Sequence, residues 1–156
     1  MSFLRFLMLM SLVVWIGGLI LFALMAPTAF QVLPTRHLAG NMVGAVLSKL
    51  HWMGIVSGVV FLISSLLHSR FTDGTAHVFA ARHLLIVVML SLTLISQFGI
   101  IPRMNTLRAS LGDVTAAPAD NPDRVQFDFL HAWSTRVEIT VLLLGLVVVW
   151  LVAASS

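Results

Sequence analysis

Four long apolar segments dominate this chain of 156 residues, and they cover positions 3–26, 42–67, 84–101 and 137–153. Each segment is close to the roughly 20 residues that a helix needs to cross the hydrocarbon core of a bilayer. Lipid offers no hydrogen-bond partners to the backbone, so segments of this kind cross it as helices, which satisfy their own N–H and C=O groups. The sequence therefore predicts an all-α integral membrane four-helix bundle.

Composition supports this class. Hydrophobic residues make up 59% of the chain and charged residues 10%, with a mean hydropathy of +1.02, which leaves too little polar surface for a soluble protein.

We predict a single transmembrane domain over 1–156, with helices at about 3–26, 38–68, 76–101 and 122–153. Pro27 and Pro102 are expected to end the first and third helices, since proline cannot donate into the preceding turn. Asn121-Pro122-Asp123 is a typical helix start.

The connections are short except for one longer loop between the third and fourth helices, expected over 102–128. Its charges nearly balance, so nucleic acid is not an expected partner. The expected partner is the lipid bilayer, with the chain as a multi-pass protein of a prokaryotic inner membrane. The sequence is compatible both with a homo-oligomer and with a larger membrane complex.

The chain contains no cysteine, so copper or zinc would have to be bound by His, Met or carboxylate ligands.

Small residues mark the expected helix contacts. Gly44, His51 and Gly58 recur every seven positions on the second helix, so they share one face, and small residues let membrane helices approach closely. On the first helix, Trp15 and Gly18 share a face in the same way. The predicted packing residues are Trp15, Gly17, Gly18, Gly44 and Gly58.

Polar residues are expected to meet at one end of the bundle, because the first and third helices end where the second and fourth begin. His131, Ser134 and Glu138 share a face of the fourth helix. At membrane depth, an ionisable side chain such as that of Glu138 must be paired with another group, protonated or exposed to water. Residues of this kind are often functional. The predicted pocket consists of His51, Gln97, His131, Ser134 and Glu138, with Arg103 near its rim.

Several interpretations of this pocket stay open. His51 and His131 are candidate ligands for copper or for the iron of haem b. The structural alternatives are one hydrogen bond from His51 across a helix contact and an ordinary ion pair at Glu138. His68, His77 and His83 are expected at the opposite, wet surface. Hydrolase, kinase and dinucleotide motifs are missing from the sequence, so no catalytic residue is predicted.

A set of motifs resembles a known family: Trp15-Ile-Gly17-Gly18 with Phe22, Ala26-Pro27 with Phe30, Gly40 with Gly44, and Phe127-x-x-Leu130-His131-x-x-Ser134. Together they resemble the transmembrane protein 205-like family, a domain of unknown function in bacteria and eukaryotes. That resemblance implies a four-helix membrane domain. The first motif is distantly similar to copper-resistance protein D and to four-helix haem-binding protoporphyrinogen oxidases, which implies copper or haem ahead of other ligands. The chain departs from these patterns in lacking a histidine in its first helix and in having Glu138 where an asparagine is expected.

Three functional hypotheses follow. The first is a non-enzymatic membrane protein whose pocket binds or passes a metal ion, copper preferred, under toxic-metal stress. The second is an accessory or scaffold subunit of a larger membrane complex that binds lipid or pigment. The third is a haem-dependent membrane redox enzyme.

Overall fold

A computed structural model describes residues 2–74 and 80–154, and these are almost entirely helical. The α-helices are α1 (Ser2–Val32), α2 (Arg36–Asp73), α3 (Ala81–Ile95), α4 (Ile101–Leu111) and α5 (Pro122–Ala154). A π-helical turn over Ser96–Ile100 joins α3 to α4 without a break, so the two form one rod over Ala81–Leu111. Four helices are thus long and apolar enough to cross a membrane. The predicted all-α four-helix architecture is confirmed.

The prediction that the first helix ends before Pro27 is wrong, because α1 continues through this proline to Val32. The hydroxyl of Thr28 donates to the carbonyl oxygen of Leu24 at 2.8 Å. The carbonyl that Pro27 leaves without an N–H donor is that of Ala23, so this hydroxyl reinforces the neighbouring turn and does not replace the missing bond. Ala29, just beyond the proline, is buried in the bundle. Packing of this last part of α1 therefore outweighs the backbone hydrogen bond that proline removes.

The third helix does not end at Pro102 either. The N–H of Ile101 donates to the carbonyl oxygen of Ser96, five residues earlier, which widens the helix immediately before the proline. A widened turn makes room for the proline ring and the donor it lacks. The rod therefore reaches Leu111, and the loop to α5 covers only 112–121 rather than 102–128. The predicted start of this helix, at 76, lies outside the described residues.

Two other helix starts follow ordinary capping rules. Asn121 Oδ1 accepts the backbone N–H of Asp123 at 2.9 Å, which starts α5 at the predicted proline. Thr35 Oγ1 accepts the N–H of Leu38 at 3.2 Å, so α2 begins at Arg36.

The bundle consists of two packed halves. α1 lies along α2, and α5 packs against α3 and α4, while α3 also contacts α2. Trp15 is 2% exposed, and its indole lies directly over Gly54 and Gly58 of α2, so close that a Cβ on either glycine would come within 3.0 Å of the ring. These glycines are what allow α1 and α2 to approach closely.

The outer surface of the bundle is apolar. Large side chains such as Leu21, Phe98 and Trp150 are more than 60% exposed. A surface of this kind suits lipid rather than water. The chain is a multi-pass membrane protein associated with a lipid bilayer.

Candidate functional site

A buried histidine connects three of the four spans. His51 of α2 is 2% exposed, and its Nε2 atom lies 2.6 Å from Oε1 of Glu138 on α5. Its Nδ1 atom lies 3.0 Å from Oε1 of Gln97 in the π-helical turn. Both ring nitrogens are therefore hydrogen-bonded, each to a different helix.

The partners of Gln97 indicate where the protons lie. Gln97 Nε2 donates to Oγ of Ser48 at 3.0 Å, one turn before His51 on α2. With the amide in this orientation, Gln97 Oε1 is an acceptor, so His51 Nδ1 must carry a proton. His51 Nε2 and Glu138 then share one further proton, which lies on the imidazole or on the carboxyl group.

The π-helical turn brings Gln97 into this network. Turns of this type shift the register of a helix and are frequent at functional sites. Here Gln97 is 9% exposed and points into the bundle, whereas Phe98, the next residue, is on the outer surface. The turn that accommodates Pro102 is thus also the turn that carries an amide to His51.

A cavity of about 590 Å³ leads to the pair. It lies between α1, α2, α4 and α5 and is lined at one end by the loop that contains Asp113 and Thr115. Beyond its inner end α1 and α5 meet, since a Cβ on Gly145 would come within 3.0 Å of Ile16. Glu138, whose side chain is 15% exposed, lines this cavity, while His51 lies behind it. The carboxyl group is therefore the member of the pair that a ligand would meet first.

The walls of the cavity are mainly apolar, and its ionisable groups other than Glu138 lie toward the loop end. The apolar walls include Leu19, Phe22, Phe30, Leu47, Ile139 and Leu142. The ionisable lining residues are Arg36, His37, Arg108, Asp113, Asp128, His131 and Glu138.

The remaining predicted pocket residues are placed differently. Ser134 is buried and lines the cavity. His131 also lines it but is exposed, and its ring stacks on Phe127 with the ring centroids 6.2 Å apart. Arg103 is exposed and does not line the cavity. The structure thus brings together His51, Gln97 and Glu138, and leaves His131 and Arg103 outside their hydrogen-bond network.

Of the predicted packing residues, Trp15, Gly18, Gly44 and Gly58 lie at contacts between helices. Gly17 is exposed on the outer face of α1, where a Cβ would meet nothing within 4 Å.

One expectation for the opposite end of the bundle needs correction. His83 is 3% exposed rather than wet, and its Nε2 atom lies 2.7 Å from Oγ of Ser65. It is buried because α3 begins only at Ala81, so His83 lies in its first turn against α2. His68 is half-buried, and His77 lies outside the described residues.

Two members of the site were not predicted from the sequence. Ser48 was missed because a lone serine beside Lys49 gives no signal until the π-helical turn places Gln97 opposite it. Arg108 was missed because the helix was expected to end at Pro102, which would leave this arginine in a loop. Its position one and a half turns beyond a proline in an otherwise helical pattern was the available signal.

The donor atoms offer a partial metal site at most. His51 Nε2 and Glu138 Oε1 are two adjacent candidate ligands. Within the part of the chain that the structure describes, no group of three or more His, Cys, Asp or Glu side chains is placed to hold a metal ion.

Comparison with known proteins identifies one family. No curated protein and no solved structure matches the chain. The model of a family described as "Domain of unknown function (DUF4149)" matches residues 10–112, which include α1 from its ninth residue onward, all of α2 and the whole third span. The resemblance to the transmembrane protein 205-like family and to copper-resistance protein D is separate from this match and stays a prediction. The chain therefore belongs to the DUF4149 family, whose function is unknown.

Proposed function

We propose that this protein is a non-enzymatic membrane protein that binds a ligand in the cavity between α1, α2, α4 and α5, and that the His51–Glu138 pair links binding to a proton. One observation carries the proposal. Glu138 faces the cavity, and its carboxyl oxygen is 2.6 Å from the nitrogen of a fully buried imidazole. Ionisable groups at membrane depth often mark ligand pathways and proton relays.

The charge of the pair explains the link. With the shared proton present, His51 and Glu138 together are neutral. Without it, they carry one negative charge, which is costly wherever water is excluded. A ligand with an apolar surface excludes water from the cavity, so its binding and loss of the proton oppose each other. Binding of such a ligand is therefore expected to keep the proton on the pair.

The test uses the full chain in lipid nanodiscs and infrared difference spectra recorded between acidic and alkaline pH. We expect a pH-dependent band in the wild type, either the carbonyl stretch of a protonated Glu138 or a ring mode of the His51 imidazolium, and its loss or displacement in Glu138→Gln. Asp128→Asn is the matched control, because Asp128 lines the same cavity but lies 3.9 Å from Arg124 at the exposed end. A spectrum that is the same in wild type and Glu138→Gln would overturn the proposal.

Binding or passage of a metal ion, copper preferred, is the second candidate. It is favoured by the bond from His51 Nδ1 to the Gln97 carbonyl oxygen, because metal-ligating histidines usually donate their other N–H to such a group. His51 Nε2 and Glu138 would be the ligands, with His131 at the rim. The resemblance to copper-resistance protein D supports copper over other metals, and a role under toxic-metal stress.

Proton release separates the two candidates. A metal ion must displace the proton that His51 and Glu138 share, so copper binding should release about one proton per ion into weakly buffered solution. Elemental analysis of the protein purified in mild detergent, with His51→Gln as the comparison, measures the stoichiometry. Copper bound equally by both proteins would rule out this site.

Other assignments are tested on the same preparation. A visible absorption band would indicate haem b and the redox-enzyme alternative. Stable co-purification with large partners would favour an accessory or scaffold subunit, and the size of the detergent-solubilised particle tests for a homo-oligomer. The prokaryotic inner membrane is the location that we propose.

A further inference from the structure

Arg108 is a half-buried cation that faces the cavity without an acidic partner. Its guanidinium group lies against α2, where a Cβ on Gly44 would be 3.0 Å from Nη1 and a Cβ on Gly40 would be 3.7 Å from Nε. On the other side, its Cζ atom is 5.4 Å from the ring centroid of Phe127. Its hydrogen bond is to Asn105 of the same helix, at 3.5 Å. No carboxylate forms an ion pair with Arg108 within residues 2–74 and 80–154.

The acidic residues of the cavity have other partners. Asp113 accepts both the N–H and the hydroxyl of Thr115, at 2.9 and 2.7 Å. Asp128 lies 3.9 Å from Arg124, and Glu138 lies 2.6 Å from His51. The charge of Arg108 is therefore available for an anion, and Arg36 lines the same end of the cavity.

The space beyond Arg108 is apolar. Leu19 and Phe22 of α1 face it from one side, and Ile139 and Leu142 of α5 from the other. These residues lie within helices that can cross a membrane. The volume of about 590 Å³ falls within the range of sites that enclose small organic molecules. A soluble anion would gain nothing from these walls, whereas an acyl chain would bury its surface against them.

We propose that the cavity binds an anionic membrane lipid, with its headgroup at Arg108 and an acyl chain between α1 and α5. This inference names the ligand class of the cavity and rests on the proposed function. The guanidinium group supplies charge-assisted hydrogen bonds to phosphate oxygens, for which its planar donors are well suited. The glycine pair of α2 leaves the space that holds the guanidinium group in place.

The experiment measures lipid binding to the detergent-solubilised full chain by native mass spectrometry. The probes are phosphatidylglycerol and phosphatidylcholine with identical acyl chains, and glycerol phosphate as the headgroup without chains. We expect phosphatidylglycerol to bind about tenfold more tightly than phosphatidylcholine, and the preference to disappear in Arg108→Gln. Arg136→Gln, which removes an exposed arginine that contacts Trp133 outside the cavity, should keep the preference.

A pair of glycine variants tests the same geometry without removing a charge. Gly44→Ala should weaken the preference slightly, because its Cβ would shift the guanidinium group by a few tenths of an ångström, whereas Gly17→Ala on the outer face should leave it unchanged. Equal binding of the two lipids to the wild type, or a preference that survives in Arg108→Gln, would overturn the inference. Tight binding of glycerol phosphate would indicate a soluble-anion site instead. None of these results changes the infrared signal of Glu138, so the proposed function is tested independently.

Discussion

The Nε2 atom of His51 and the Oε1 atom of Glu138 lie 2.6 Å apart, although 87 positions separate the two residues in the sequence. This contact joins α2 to α5, two helices that otherwise pack mainly against other partners. Gln97 adds the third span to the same imidazole. A single side chain thus connects the α1–α2 half of the bundle to the α3–α5 half, at the inner end of a cavity.

Replacement of His51 by alanine should destabilise the bundle. It leaves Glu138 without its partner and Gln97 Oε1 with only the longer 3.4 Å contact to the Ser48 hydroxyl, and a buried polar group without a hydrogen bond costs about 1–3 kcal/mol. Glu138→Gln should cost less, because the amide N–H of the new side chain can donate to the unprotonated Nε2 of His51. Reversible unfolding in mixed micelles measures both, and the double variant should show a coupling energy of at least about 0.5 kcal/mol. Strictly additive effects would mean that the two side chains do not interact.

The packing of Trp15 against α2 makes a second prediction. Gly54→Ala should destabilise the protein by about 1–3 kcal/mol, because its Cβ would overlap the rigid indole ring. Gly18→Ala should cost less, since the nearest atom is the terminal methyl group of the flexible Met53 side chain. Gly17→Ala is the neutral control, with nothing within 4 Å. Mixed-micelle unfolding ranks the three, and equal effects at Gly54 and Gly17 would contradict this account.

The sequence predicted the fold class and the members of the central pair, for physical reasons. Long apolar segments specify membrane helices. The seven-residue spacing of Gly44, His51 and Gly58 places His51 on the same helix face as the two glycines, which faces the bundle. Helical periodicity also places Glu138 on the face that it occupies. What periodicity cannot provide is the distance between residues on different helices, so which polar groups meet was open until the helices were packed.

The errors at the helix ends have one source, which is the treatment of proline. Pro27 and Pro102 were expected to end helices, as they do in water, where an unsatisfied carbonyl is free to bond solvent. In a membrane the chain gains more by staying helical, with buried packing of Ala29 after Pro27 and a π-helical turn before Pro102. The same error hid Arg108, because a helix that ends at Pro102 cannot direct that residue into the cavity.

The loop between α4 and α5 contains a carboxyl group with a shifted pKa. The hydroxyl and the N–H of Thr115 both donate to Asp113. These two hydrogen bonds, and to a smaller extent the electrostatic attraction of the nearby His37 side chain, lower the pKa of Asp113. A lowered pKa in the folded state means that the carboxylate stabilises the loop above the ordinary aspartate pKa. That contribution is lost as the pH falls through the lowered value.

Thr115→Val should therefore raise the pKa of Asp113 toward its ordinary value, but not fully, because the backbone N–H of residue 115 remains. A carboxyl carbon titration followed by NMR measures the shift. Thr106→Val is the control, since the Thr106 hydroxyl donates to the Pro102 carbonyl oxygen rather than to an acid. An unchanged pKa in Thr115→Val would show that the hydroxyl does not set it.

Gln97 should fix which nitrogen of His51 carries its proton. Gln97→Leu removes the acceptor at Nδ1 and leaves a buried N–H without a partner, at a cost of about 1–3 kcal/mol. The imidazole can then place its proton on either nitrogen, so its ¹⁵N chemical shifts should move from a protonated Nδ1 toward a mixture of tautomers. Asn41→Leu is the matched control, because Asn41 Nδ2 makes a similar 3.0 Å contact with His37 Nε2, but on the exposed surface. That change should alter stability by less than about 0.5 kcal/mol. If the His51 shifts were identical in the wild type and in Gln97→Leu, the amide would only fill space, and the proton on Nδ1 would need another explanation.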